Sequence, residues 1–204
     1  MKALITGFLL AASAAYPAGL FSFGVKGGVP LNDAFNGAKT GSISYFTNNN
    51  RYTVGPELDI NLPFGFGVEV DALYRRLEFQ SQTVSTSSDT TANAWSFPVL
   101  LKKRFGPGPI KPYVSAGPTF RGLTNITERV TAFSSTSTTD NPASLRDRFN
   151  TGFTAAAGLQ LGTEAFRISP EIRYTRWGWE NFRSVNSLLR SNPDQWDFLV
   201  GITF

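Results

Sequence analysis

The chain has 204 residues, of which 41% are hydrophobic, and its formal net charge of +4 is too small and scattered to indicate nucleic-acid binding. No stretch approaches the ~18 consecutive apolar residues of a membrane-spanning helix, in keeping with a mean hydropathy of −0.12. The chain contains neither cysteine nor histidine, which excludes disulfides, thiolate metal sites and catalysis by a histidine base.

The N-terminus has the pattern of a secretory signal peptide. Lys2 supplies a short positive region, and residues 3–12 form an apolar stretch that is too short to span a membrane. Small residues at the expected positions suit cleavage after Ala14 or Ala15. We therefore predict a signal peptide over residues 1–15 and a barrel domain over residues 16–204. The alternative is a buried N-terminal helix.

Eight segments alternate apolar and polar residues with a period of two, which predicts β-strands with one apolar face. They are residues 21–29, 51–62, 66–75, 95–102, 113–121, 153–162, 167–175 and 196–204. Most are close to the ~9–11 residues with which a tilted strand crosses a bilayer. Prolines lie within four of them, so we expect bulges or distortions there: Pro56, Pro98, Pro118 and Pro170.

The links between these segments alternate in length. Short links cover residues 62–65, 106–109 and 162–165, and long polar links cover residues 31–50, 81–93, 124–150 and 178–193. Short turns on one side and long loops on the other are typical of an outer-membrane barrel, with the turns in the periplasm. We predict an all-β fold, an eight-stranded antiparallel up-and-down transmembrane barrel, with solvated loops.

The fourth long link carries apolar residues at helical spacing: Phe182, Val185, Leu188 and Leu189. They predict either a short amphipathic turn over the barrel mouth or a contact patch.

Aromatic residues gather at both ends of the predicted strands, as the two membrane interfaces favour. The periplasmic group is Phe23, Phe66, Phe105, Phe166 and Phe204. The outer group is Tyr52, Tyr74, Trp95, Phe120, Phe153, Tyr174, Trp177 and Trp196. Aliphatic residues such as Val70, Val99, Leu159 and Val200 lie between them and should face lipid. The competing interpretation is a soluble barrel whose apolar face points inward.

The opposite face of the strands is charged and should point into the lumen. The acidic residues are Glu57, Asp59, Glu69, Asp71, Glu171 and Asp197. The basic residues are Lys26, Arg51, Arg75, Lys102, Arg104, Arg121, Arg167 and Arg173. An eight-stranded barrel is just wide enough for side chains to fill it, so these charges should pair.

The short link between the second and third strands should bring Glu57 and Asp59 opposite Glu69 and Asp71. Like charges across a strand pair repel each other, so bases from elsewhere on the wall must neutralise them: Lys26, Lys102, Arg121 and Arg173 are the candidates. We interpret this group as a salt-bridged plug that stabilises the barrel. A cation site or a catalytic site built on the carboxylates is the alternative.

The chain resembles the small outer-membrane β-barrel proteins of the OmpA-transmembrane and OmpX type. The resemblance rests on the eight alternating segments, on residues 111–120 (KPYVSAGPTF) and 170–174 (PEIRY), and on the terminal Phe204. It implies the outer membrane of a Gram-negative bacterium, lipid and lipopolysaccharide as surroundings, and reading of the C-terminal Phe204 strand by the barrel-assembly machinery.

We expect a non-enzymatic, monomeric protein that presents four loops for envelope integrity, adhesion or partner binding, without nucleic-acid partners. We assign no catalytic, cofactor-binding or metal-binding residues. One alternative is a narrow passive pore, because inward glycines would leave space for water: Gly24, Gly28, Gly55, Gly67, Gly117, Gly158 and Gly162. A lipid-modifying enzyme is a weaker alternative, since known barrel enzymes of this kind depend on histidine.

Overall fold

Eight antiparallel strands form the wall of the molecule. The structure, a computed structural model, describes residues 20–37, 44–47, 52–82, 86–132, 135–163, 165–182 and 189–204. The wall strands are β1 (Phe21–Pro30), β2 (Thr53–Asn61), β3 (Phe66–Asp71, continued as Leu73–Gln82), β4 (Thr86–Arg104), β5 (Ile110–Ala132), β6 (Phe149–Gly162), β7 (Arg167–Trp177) and β8 (Asp194–Thr203). Among the described residues, no helix has the length and apolar character to cross a bilayer.

The wall closes on itself. Each strand pairs with the next along the chain. The last strand, β8, pairs with β1 from Gly24 opposite Thr203 to Pro30 opposite Asp197. The predicted eight-stranded up-and-down barrel is therefore confirmed, and all eight alternating segments contribute a wall strand.

The prolines interrupt the ladders without changing their register. Pro56 lies opposite Ala72, where β3 is divided, although the Ala72 amide still donates to the Pro56 carbonyl at 3.0 Å. A register shift does occur between β4 and β5, at Thr91 and Asn93, where no proline is present. The extra residue there is accommodated by Asn125, whose φ is +48°. The predicted distortion is thus present at Pro56, whereas the bulge lies at a position without proline.

Two of the four predicted long loops are largely strand. β4 and β5 contain 19 and 23 residues, more than a bilayer crossing needs, and pair with each other out to Thr86 and Ala132. Ser135–Thr139 adds to the outer end of β5, and Ser44–Thr47 adds to that of β3. We call these outer strand segments, which the predicted topology places outside the cell, the extracellular sheet. Sequence periodicity missed it because residues 86–91 and 135–139 contain only polar residues, so they show no apolar face.

The other two long links also contact each other. Phe35–Gly37 pairs with Leu189–Ser191 as a separate two-stranded ladder. Leu189 therefore begins a strand and does not belong to a short amphipathic turn, which corrects part of the prediction for the fourth loop. Val185 and Leu188 lie outside the described residues.

The two faces of the wall are as the alternation predicted. Val99 and Leu159 are 37% and 44% exposed on the outer surface, whereas Asp59 and Glu171 are almost fully buried in the lumen. The aromatic groups also lie on the outer surface at each end, with one correction. Trp177 is only 4% exposed, because it shares the inward phase of Arg173 and Thr175 on β7.

Candidate functional site

The middle of the lumen is filled by nine charged side chains that we call the central ionic cluster. It contains five carboxylates and four bases: Glu57, Asp59, Glu69, Asp71, Glu171, Lys26, Lys102, Arg104 and Arg173. Every wall strand from β1 to β4 contributes to it, and β7 completes it from the opposite part of the wall. The cluster therefore crosses the lumen and fills it.

Glu69 is the centre of the network. Its Oε1 atom lies 2.5 Å from the Lys26 Nζ and 2.6 Å from an Arg173 Nη2, and its Oε2 atom contacts Lys102. Arg173 also donates to Asp71 at 2.9 Å. These side chains are less than about a tenth exposed, so their mutual contacts replace solvation by water.

The register between β2 and β3 places carboxylates opposite each other across the two strands, as predicted. Glu57 lies opposite Asp71, and Asp59 lies opposite Glu69. Lys26 is within 3.2 Å of Glu57, and Lys102 is within 3.0 Å of Asp59, so cations from β1 and β4 neutralise the pair from both sides.

Three of the four bases predicted to neutralise the carboxylates do so, and Arg121 does not. Instead of Arg121, the base Arg104 contacts Asp59, at 3.0 Å. Alternation along a strand predicts that Arg121 points inward, but it does not specify how far along the barrel axis the side chain lies. In the structure Arg121 lies closer to the outer end than the carboxylates do. Arg51, also predicted to point inward, lies outside the described residues.

The inward glycines do not line an open channel. A Cβ atom built at Gly158 would lie 2.7 Å from the Tyr113 ring, and one built at Gly67 would lie 2.8 Å from the Arg104 guanidinium. Tyr113 donates to Glu171 at 2.8 Å and is itself buried. These two glycines therefore make room for long side chains that fill the lumen: Arg104, which was predicted to point inward, and Tyr113, which was not assigned there.

A second charged group lies toward the outer end. Arg75 contacts the Asp197 carboxylate and donates to Thr53 at 2.8 Å. Arg121 donates to the Gln195 side-chain oxygen at 2.6 Å, and its guanidinium lies 3.7 Å from the centroid of the Trp177 ring. All six of these side chains are buried, so the polar and ionic filling of the lumen continues above the central ionic cluster.

The outer end is closed by apolar side chains, which we call the mouth cluster. It consists of inward residues of β3, β4 and β5 with residues of three loops: Leu77, Ala92, Ala94, Leu123, Ile126, Ala34, Leu145 and Phe182. Phe182 is 1% exposed. Its backbone bridges to Leu145, and the neighbouring Asn181 holds the third loop through the backbone of Arg146 at 2.8 Å. The prediction that the fourth loop covers the mouth therefore holds for Phe182.

The carboxylates of Glu57, Glu69 and Asp71 have oxygens within 4.8 Å of one another, a spacing that could hold a metal ion. Lys26 contacts all three at 3.6 Å or less, so its ammonium occupies the position a cation would take. The arrangement is that of a salt-bridged network.

A closed antiparallel barrel with an apolar, aromatic-edged exterior and an ionic lumen defines an integral outer-membrane β-barrel protein. The family model for the outer membrane protein beta-barrel domain matches residues 12–179. The chain therefore belongs to this family, as its sequence resemblance implied.

Solved barrels of several bacteria are similar to the chain. Neisserial surface protein A is 13% identical, with 92% of this chain and 98% of that chain covered and a TM-score of 0.47. The N-terminal barrel of Pseudomonas aeruginosa OprF is 17% identical, with coverage of 90% and 96% and a TM-score of 0.40. Ail of Yersinia pestis is 15% identical, with the same coverage and a TM-score of 0.40. No curated protein matches the chain significantly.

Proposed function

We propose that the protein is a non-enzymatic, monomeric barrel that anchors an extracellular sheet at the surface of a Gram-negative cell. The proposal rests on the contrast between the filled lumen of the barrel and the strands that extend beyond it. The lumen is filled by buried ion pairs and covered at the outer end by Phe182, whereas β4 and β5 continue beyond the length that a bilayer crossing needs. The sheet is the part available to a partner.

The extracellular sheet supports a role in adhesion, partner binding or envelope integrity. It is mostly polar, its edge residues 135–138 are exposed, and its strands are held by regular pairing, such as that of Asp89 with Arg129 and Val130 with Ser137. A paired sheet keeps its surface in one conformation, which lowers the entropic cost of binding relative to a mobile loop.

The predicted cellular route completes the proposal. Residues 1–15 direct export and are removed, the C-terminal strand ending at Phe204 is read by the barrel-assembly machinery, and lipid with lipopolysaccharide surrounds the barrel. The aromatic residues at both ends of the outer surface support this placement, because Tyr, Trp and Phe favour the two membrane interfaces.

Cysteine labelling tests the surface presentation directly, because the chain has no native cysteine. Ser137→Cys on the extracellular sheet should react with a membrane-impermeant maleimide on intact cells. Pro109→Cys, in the exposed turn between β4 and β5, should react only after the outer membrane is permeabilised. The reverse pattern, or no protein in the outer-membrane fraction, would contradict the proposal.

The narrow pore remains the alternative, and bilayer recording separates the two. The side chains that fill the lumen predict no stable channel current from the purified barrel. Reproducible open-channel steps that persist in independent preparations would favour the pore instead.

A further inference from the structure

We propose that the outer part of the lumen binds a small monovalent anion, of the chloride or bromide type, beside Arg121. The starting observation is an internal cavity of about 30 Å³, lined by residues from Arg173 of the central ionic cluster to Trp177 below the mouth cluster. A space of this size holds about two water molecules or one monatomic ion.

The charges around the cavity are unevenly matched. Arg75, Arg121 and Arg173 all line it, whereas Asp197 is the one acidic residue among the described residues that line it. The Asp197 carboxylate is engaged by Arg75, and Arg173 is engaged by the carboxylates of the central cluster.

Of these three arginines, Arg121 is therefore the one whose described contacts are all with uncharged side chains. It is 6% exposed, and within the described part of the chain its contacts are the Gln195 amide oxygen and the face of Trp177. A buried guanidinium with no carboxylate in direct contact is costly, and Asp197, which attracts Arg121 only at longer range, is already engaged by Arg75.

Several N–H donors of the residues that line the cavity also lack a hydrogen-bond acceptor. The Nε atoms of Arg121 and Arg173 and the Nε1 atom of Trp177 have no acceptor among the described atoms. All three residues line the cavity. The nearby hydroxyls of Thr119, Thr154 and Thr175 bond to one another, at 2.5 and 2.9 Å.

Unmatched N–H donors beside an unmatched positive charge suit a ligand that only accepts hydrogen bonds and carries negative charge. A halide ion has both properties and the size of the cavity. Water could satisfy the donors but would place no negative charge in contact with Arg121.

The test refolds the full-length chain from urea into detergent in sodium bromide, sodium chloride or sodium gluconate at equal ionic strength. Refolding lets an ion enter before the barrel closes. We expect the urea midpoint of unfolding to rise with bromide or chloride and then saturate, as for a ligand that binds the folded state alone. Gluconate, which is far larger than the cavity, should have no such effect.

Arg121→Gln should abolish the saturable halide effect. Arg176→Gln is the matched control, because Arg176 lies on the outer half of β7 but is exposed and paired with Asp194 at 2.6 Å. This control should keep the halide effect. Equal midpoints in all three wild-type salts, or a halide effect that survives Arg121→Gln, would overturn the proposal.

A crystallographic measurement covers the case in which Arg121→Gln does not fold. Wild-type protein crystallised from sodium bromide should show an anomalous bromine peak in contact with Arg121 inside the cavity. Density for water alone, without an anomalous signal at that position, would overturn the proposal equally.

Discussion

Lys26 and Glu69 are 43 residues apart in sequence and lie on strands that are not neighbours in the wall, yet the Lys26 Nζ and the Glu69 Oε1 are 2.5 Å apart. Their side chains meet inside the lumen, reaching past β2, which separates their strands. The ion pair thus joins β1 to β3 independently of the backbone ladder. It is part of the network of ion pairs that fills the interior of the barrel.

Replacing Lys26 should destabilise the barrel strongly. Lys26→Met removes the cation that contacts four carboxylates and leaves them buried together. We expect a loss of roughly 3–5 kcal/mol in the free energy of unfolding, the usual result when one partner of a buried ion pair is removed. Urea unfolding in detergent, followed by tryptophan fluorescence, measures the change.

Two further variants control this experiment. Lys103→Met removes a lysine that donates to the backbone carbonyl of Phe64 in the exposed turn between β2 and β3, and should change stability by less than about 1 kcal/mol. Adding Glu57→Gln to Lys26→Met should restore part of the loss, because it removes one uncompensated charge. Equal effects of the two lysine substitutions would contradict the structural role of the cluster.

Gly201 should tolerate no side chain. A methyl group there would collide with the Glu57 carboxylate and approach the Lys26 side chain to 3.4 Å. We expect Gly201→Ala to cost roughly 1–3 kcal/mol, as overpacking of a filled interior does. Gly122→Ala is the control, since nothing lies within 4 Å of its added methyl group. A heat-modifiability gel ranks the two variants, and the order would be reversed if Gly201 faced open space.

Phe182 should hold the outer loops over the mouth. Phe182→Ala removes the ring that the mouth cluster buries, so the hydrogen bonds beside it should open more often. We expect faster hydrogen exchange at the Ser191 and Arg146 amides, which donate to Phe182 and Asn181 at 3.0 and 2.8 Å. Phe153→Ala, at a 57% exposed position on the outer wall, should leave both amides unchanged. Unaltered exchange in Phe182→Ala would argue against the closed mouth.

Brominated lipids distinguish the outward tryptophans from the inward one. Trp95 and Trp196 are 37% and 45% exposed on the outer wall, whereas Trp177 is buried in the lumen. In proteoliposomes, Trp95→Phe and Trp196→Phe should each remove part of the quenching by brominated acyl chains. Trp177→Phe should leave the quenched component intact. Loss of quenching in Trp177→Phe would place that ring on the lipid side.

Several features of the barrel follow from local pattern. Strand positions, the identity of the two faces and the opposition of Glu57 to Asp71 depend on alternation and on one short turn, which are properties of neighbouring residues. Trp177 differs from its predicted place in the outer aromatic group because β7 continues to it with unbroken alternation, which gives it the inward phase of Arg173 and Thr175.

The sequence by itself determined an eight-stranded wall with lipid on one side and charge on the other, because a strand's side chains alternate between its two faces whatever the strand later pairs with. Only the tertiary structure decided which charges meet. The contacts of Lys26 with Glu69, and of Arg121 with Gln195 and Trp177, depend on how closure sets the relative height of distant strands. That height comes from the stagger of the whole barrel, which no single segment encodes.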